Sequence, residues 1–365
     1  MKELVLTPPP LRGPPTLERV GFSSISPLNF IKPYRRVEST FFIKTKTDNS
    51  TFPSCFLLNS LRASTGRPYA LSTSYFIKEN IMLYTIENDY IKLSVKDFGC
   101  EITSIFGKKN EREYLWQGNE AIWSGQSPIL FPVIGRLLDD CYRFSGKQYA
   151  MPKHGFARRM LWEFKEQGEN SLSFILKENE ETLKLYPFSF TLTVTYTLKE
   201  NTLSVAHEIQ NNGEGMMYFS IGAHPAFNCK IGDSLYFDTD EALCCEKIDL
   251  ERSLVLDERS MLLNGEREIV VTEDIFKEDA LILSGMKSEY ITLKAKDSSY
   301  SVRFFFGKAP YLGLWAKPGA PYICIEPWCG INDTPERKAD ISEKRGINAL
   351  LGGEKFRFAW TAEIN

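Results

Sequence analysis

The chain has 365 residues, 43% of them hydrophobic and 25% charged, with a formal net charge of −3. That composition supports a substantial core, as one large β domain or two ordinary ones, and excludes a chain disordered throughout. A charge so close to neutral supplies no basic field for nucleic acid or anionic membrane, so the expected partners are small or neutral molecules.

The first 81 residues differ from the rest: they hold 11 Lys/Arg against 5 Asp/Glu, whereas the remainder holds 33 against 42. Nine of the 19 prolines also lie here, and the amphipathic alternation of the later chain is missing. Such a shift marks a boundary. Three readings compete for this segment: a loosely ordered arm, an organelle-targeting presequence that is Ser-rich and acid-poor, or sequence upstream of a natural start at Met82. The last is favoured because a strand pattern begins directly after that methionine. The opening residues break into prolines before an apolar core of useful length forms, so they do not read as a secretory signal, and no run of about 18 apolar residues suggests a membrane span. The expected organisation is therefore a poorly ordered extension over 1–81 and one domain over 82–365.

From Met82 onward the pattern is β. Tyr90 to Lys96 alternates apolar and polar, and Gly99 turns the chain into a second strand, Glu101 to Phe106. Short helices are expected at Asn119 to Trp123 and Pro335 to Ala339, too short to define a layer. Between Ser189 and Leu198 the residues Phe190, Leu192, Val194, Tyr196 and Leu198 share one face, and Ser189 with four threonines shares the other. Leu203 to Ile209, Tyr290 to Ala295 and Tyr300 to Phe306 repeat the theme. Turn signals fall at Asn211-Asn212-Gly213, Asn264-Gly265 and Lys296-Asp297-Ser298. Finally, an aromatic strand from Tyr311 to Trp315 turns through Pro318, Gly319 and Pro321 and returns through Tyr322 to Ile325, ending at Glu326. Many strands with close turns, without alternating helices or a short repeat, specify an antiparallel sandwich or barrel.

Eight cysteines without Cys-x-x-Cys spacing argue against a zinc ribbon or a redox pair and read as reduced thiols of a cytoplasmic protein. The three histidines do not cluster, and neither HxH nor HExxH occurs, so no metal site is expected. Nucleotide-cradling glycine motifs and a GxSxG elbow are also missing, which leaves no support for a cofactor or a serine hydrolase. His207 shares its strand face with Leu203, Val205 and Ile209 and reads as structural. His154 and His224 stand in Gly- and Pro-flanked loop settings. Each suits either a backbone-bonded loop residue or an acid–base group, since imidazole titrates near neutral pH. Glu326 is read either as a water-exposed strand-end acid or as a carboxylate whose pKa is raised beside Trp328. A pair such as Glu326 with Asp279 would in principle serve a glycosidase. Trp123, Trp315, Trp328 and Tyr311 suit sugar stacking, although core packing is the commoner fate of such residues.

Several ordered segments together resemble the aldose 1-epimerase (galactose mutarotase-like) family, in its LacX-like branch. They are Tyr114-Leu-Trp-Gln-Gly, Ser127-Pro-Ile-Leu-Phe-Pro-Val-Ile-Gly-Arg, Lys153-His-Gly-Phe-Ala-Arg, Gly222-Ala-His-Pro-Ala-Phe-Asn, Asp279-Ala-Leu-Ile, Leu312-Gly-Leu-Trp and Ile325-Glu-Pro-Trp. The resemblance implies an all-β fold, an antiparallel β-supersandwich with few short helices, and an isomerase that interconverts the α and β anomers of a hexose without a cofactor. It implies His224 as general acid, Glu326 as general base, and His154, Arg136 and Asp279 as substrate-binding residues. Two alternatives remain open. One is a hexose-6-phosphate 1-epimerase, for which Arg136, Arg158 and Arg159 would supply charge. The other is a non-catalytic sugar-binding or regulatory protein of the same fold. Cys329, just after the Glu-Pro-Trp triplet, departs from the family pattern.

Overall fold

The computed structural model describes residues 81–336 and 340–365. Apart from Ile81, the expected N-terminal extension lies outside the described residues, as does most of the helix expected at Pro335 to Ala339. Strands dominate the described chain, and every pair of named strands among the described residues runs antiparallel. The principal sheet has 15 strands, and a separate four-stranded sheet is built from the Leu83–Glu87, Ile91–Lys96, Glu101–Gly107 and Arg112–Glu113 strands. The expected antiparallel β architecture with few short helices is what the chain forms.

The alternation read in the sequence sets which face is buried. Along Phe190–Lys199, Phe190, Leu192, Val194, Tyr196 and Leu198 are buried while the threonines between them stay partly or fully exposed. The same rule places His207 on the buried face of Thr202–Asn211, with Leu203, Val205 and Ile209. There its ring stacks on Phe358 of the neighbouring strand, with centroids 5.3 Å apart. One contiguous core gathers these faces with Trp360, Tyr322 and Phe304.

Two local expectations are corrected and one element is added. Asn119 to Trp123 is a turn closed by a bridge between those two residues, because the Asn119 side chain accepts the Ala121 N–H and Asn119 N–H bonds the Trp123 carbonyl. An Asx turn here outcompetes a helix too short to nucleate. Asn264-Gly265 does not end a strand: the Leu254–Val270 strand runs through it as a bulge, with Gly265 at φ 102° and the register against Ser234–Asp249 shifting nearby. The one α-helix among the described residues, Glu180–Leu185, was not expected. Asn179 caps it, accepting from the Glu181 and Thr182 N–H groups, while Thr182 closes the reciprocal bond.

Candidate active site

The site is built where one strand is strongest and its partner is broken. Tyr322–Cys329 is buried at all eight positions and pairs on one side with Tyr311–Trp315. It therefore continues three residues past Glu326, which lies mid-strand opposite Gly313 and is 1% exposed. The expected strand end, and with it the solvated surface acid, does not occur.

On the other side, Tyr322–Cys329 faces two short strands, Ile221–Ala223 and Ala226–Asn228. Gly222 opposes Trp328 and Ala226 opposes Cys324, so the register is the same on both sides of the break and His224 stands opposite Glu326. The break has a covalent cause. Pro225 and Pro327 lack N–H donors, so the ladder cannot close across them. The bond from Ile325 N–H to the Pro225 carbonyl spans this interval, at 3.2 Å. Directly opposed residues on one face hold their Cβ atoms about 5 Å apart, and His224 Nε2 lies 3.3 Å from Glu326 Oε2.

Two glycines make room for the indole that flanks the acid. A Cβ on Gly313 would sit 2.8 Å from a ring carbon of Trp328, and one on Gly222 would also sit 2.8 Å from that ring. Trp328 is thereby held between the two neighbouring strands. Over the histidine, Trp123 stacks on the His224 ring at 5.1 Å and Trp315 meets it edge-on at 5.8 Å.

His154 enters from a loop joined to the sheet by an isolated bridge between Phe131 and Gly155. It and Gly155 both adopt positive φ, 65° and 71°, a costly conformation for histidine. The compensation is a double tie: His154 N–H donates to the Gly135 carbonyl at 2.7 Å, and Gly135 N–H donates to His154 Nδ1 at 3.1 Å. Because Nδ1 accepts, the neutral ring carries its proton on Nε2. The His154 and His224 rings lie 5.9 Å apart, edge to face.

Burial governs the protonation of the site. It pushes Glu326 well above the usual carboxylate range. The Trp328 indole and Lys153 pull it back in part, and the charge of Asp279 pushes it further up. Burial likewise takes His224 down to about 3, helped by the charges of Arg158 and Lys153 and opposed by its own backbone. His154 is lowered by burial and by His224, Arg158 and Lys153. Although Glu326 is only 3.3 Å away, desolvation outweighs pairing for both groups and favours carboxylic acid with neutral imidazole. Glu326 Oε2, His224 Nδ1 and Trp328 Nε1 are buried with no partner in good hydrogen-bond alignment.

His154, His224 and Glu326 thus converge, and Asp279, two residues before the strand Leu281–Ser284, lies within electrostatic reach of Glu326. Arg136 does not join them by its guanidinium, which forms a two-pronged pair with Asp140 at 2.7 Å for each bond. The cations that act on the histidines are Lys153 and Arg158 instead. Arg158 was legible only as a loop charge, and Lys153 was not singled out.

With this geometry in hand, comparison with known proteins decides the family. A family model described as aldose 1-epimerase matches residues 82–338. The chain belongs to the aldose 1-epimerase family. It is 33% identical to the chromosomal LacX protein of Lactococcus lactis subsp. lactis over 285 residues, covering 74% of this chain and 95% of that protein. Among solved structures it is similar to a galactose mutarotase related enzyme from Lactobacillus acidophilus, with 33% identity and a TM-score of 0.75 over 78% of this chain and 97% of that one. A galactose mutarotase-like protein from Lactobacillus casei ATCC 334 is similar at 29% identity and a TM-score of 0.72, covering 78% and 100%. The galactose mutarotase-like fold is therefore that of this chain. Among the described residues no helix is long and apolar enough to cross a membrane.

Proposed function

We propose that the protein is an aldose 1-epimerase that interconverts the anomers of a hexose, with Glu326 and His224 as its proton-transfer pair. The observation that carries this reading is the opposition of an acid and an imidazole 3.3 Å apart in a buried gap of the sheet. Family membership supports it.

The proton count follows from the resting state. Carboxylic acid with imidazole holds the same single proton as carboxylate with imidazolium. Ring opening uses the charged form: Glu326 takes the proton of the anomeric hydroxyl, the C1–O1 bond becomes a carbonyl, and the ring C–O bond breaks as His224 protonates the departing ring oxygen. The pair is then neutral beside an open-chain aldehyde. Rotation about C1–C2 turns the other carbonyl face, and closure runs the transfers backwards. The buried neutral pair is the state that accompanies the aldehyde, so the dry site favours the ring-opened intermediate. His154 offers an Nε2–H donor to a sugar oxygen, and Asp279 accepts from a hydroxyl. Arg136 serves the sugar only if its guanidinium leaves Asp140.

A second reading, a hexose phosphate as substrate, is favoured by one observation: the charges of Lys153 and Arg158 both bear on the histidine pair. Anomer exchange measured side by side on glucose, galactose and glucose 6-phosphate separates the two. Faster exchange of the free hexoses supports the first reading, and a strong preference for the phosphate replaces it with the second.

A further inference from the structure

One chemically active side chain at the site has no part in the reaction above. Cys324 stands two residues before Glu326 on the same strand, so both side chains point to the same face. It opposes Ala226, just beyond the gap that holds His224. Cys324 Sγ, a His224 ring nitrogen and a Glu326 oxygen all lie within 4.8 Å of one another. The three residues are 0%, 7% and 1% exposed.

From these positions we infer that Cys324, His224 and Glu326 form a binding site for a thiophilic divalent cation, Zn²⁺ in particular, which blocks the active site when it binds. A thiolate, an imidazole nitrogen and a carboxylate oxygen are the three donor types zinc takes, and three protein ligands with a fourth position left open are a recurrent zinc arrangement. Ligand atoms at zinc bond lengths of about 2.0–2.3 Å stand roughly 3.3–3.7 Å apart. The His224–Glu326 separation of 3.3 Å already meets this, and Cys324 Sγ, within 4.8 Å of both other ligand atoms, has at most about 1 Å to close. Independently, Glu326 Oε2 is buried without an aligned partner, so the site presents an unused acceptor. On binding, the thiol and the carboxylic acid each release a proton to solvent, and Zn²⁺ with one thiolate and one carboxylate is neutral. That neutrality is what a buried site requires.

Lys153 and Arg158 act electrostatically on the same histidines and oppose any cation, while Asp279 favours one. Against that background a hard ion such as Mg²⁺, which gains nothing from a thiolate, is rejected, whereas Zn²⁺ is retained. No ligand spacing in the sequence announces this site, since the sheet alone brings position 224 to positions 324 and 326. The inhibitory consequence rests on the proposed epimerase reading, but the binding does not.

The test uses the full chain, stripped of metal by a chelator and titrated with ZnCl₂ by calorimetry, with MgCl₂ as control. One Zn²⁺ per chain at micromolar concentration is expected, with no response to Mg²⁺. Cobalt in place of zinc should give a thiolate-to-metal charge-transfer band. Cys324→Ala should weaken zinc at least about 100-fold, beyond the roughly 10–100-fold cost of losing an outer-sphere partner. Cys329→Ala, whose sulfur is not in the cluster, should bind zinc as the parent does. Failure of the parent to bind micromolar zinc, or equal binding by folded Cys324→Ala, overturns the inference. If Cys324→Ala does not fold, the cobalt band of the parent decides alone, and its absence overturns the inference. If zinc binds through Cys324 but the metal-free protein exchanges no anomers, the metal site stands and the epimerase reading falls.

Discussion

Two buried histidines of the same sheet region, His207 within a strand and His224 in a break between two, are 1% and 7% exposed, and burial lowers both pKa values, to about 4 and about 3. What separates them is the opposing strand. His207 sits in an unbroken ladder, flanked by Val194 and Phe358, with no aligned partner on either ring nitrogen. His224 sits in a break made by Pro225 and Pro327, with an acid directly across. A depressed histidine pKa is therefore common to packing and chemistry here. The opposing carboxyl and the open ladder are what single out the candidate proton-transfer site.

The sharpest way to break this contrast is to remove each ring in turn. His224→Asn should slow anomer exchange by roughly 10²–10⁴-fold, the usual worth of a placed acid–base group. His207→Leu should leave the rate per folded molecule near that of the parent. Equal losses per folded molecule would remove the contrast between the two histidines.

A pH titration of stability probes His207 and the acid that faces His224. The folded pKa of His207, about 4, lies below the ordinary 6.5, so its contribution is complete above 6.5 and is lost as pH falls from 6.5 towards 4. A shift of that size corresponds to about 3 kcal/mol, and His207→Leu should flatten the acid limb of denaturant-derived stability by up to that amount. Glu326 has the opposite sign: its folded pKa is raised, so its contribution is present below 4.5 and is lost as pH rises through the folded value. Glu326→Gln should therefore gain stability over the parent as pH rises above 4.5. A gain confined to acid would contradict the burial argument.

The smallest expected effect concerns the space beside the acid. Gly313→Ala drives a methyl into the Trp328 ring and should cost about 1–3 kcal/mol, with a loss of exchange rate because the indole flanks Glu326. Gly215, whose Cβ would meet nothing within 4 Å, is the control, and Gly215→Ala should change neither quantity measurably. Equal stability of the two variants in a denaturant melt would show that Trp328 is not held between the strands.

Much of this was legible in the sequence, for physical reasons. Period-two alternation gave the strands, since burying one face of a sheet demands it, and it placed His207 in the core. The Gly-Ala-His-Pro and Glu-Pro-Trp segments gave the candidate pair, because both are short and chemically distinctive. What depended on pairing was not legible. No local pattern shows that two prolines a hundred residues apart would open the same gap, or that Gly222 and Gly313 would both face Trp328. Nor could the sequence reveal that Asp140 takes the guanidinium of Arg136, while Lys153 and Arg158 bear on the histidines. Glu326 was misread as a strand end because the turn-prone Pro327 follows it, whereas Tyr311–Trp315 keeps the strand paired as far as Trp328.

The account rests most heavily on Glu326 acting across the gap on a sugar held beside His224. NMR exchange spectroscopy between the α and β anomers of glucose and galactose, with parent protein and Glu326→Gln at equal folded concentration, measures this directly. The account predicts rapid exchange with the parent and the uncatalysed buffer rate, or nearly so, with Glu326→Gln. Exchange at the parental rate by Glu326→Gln would contradict it.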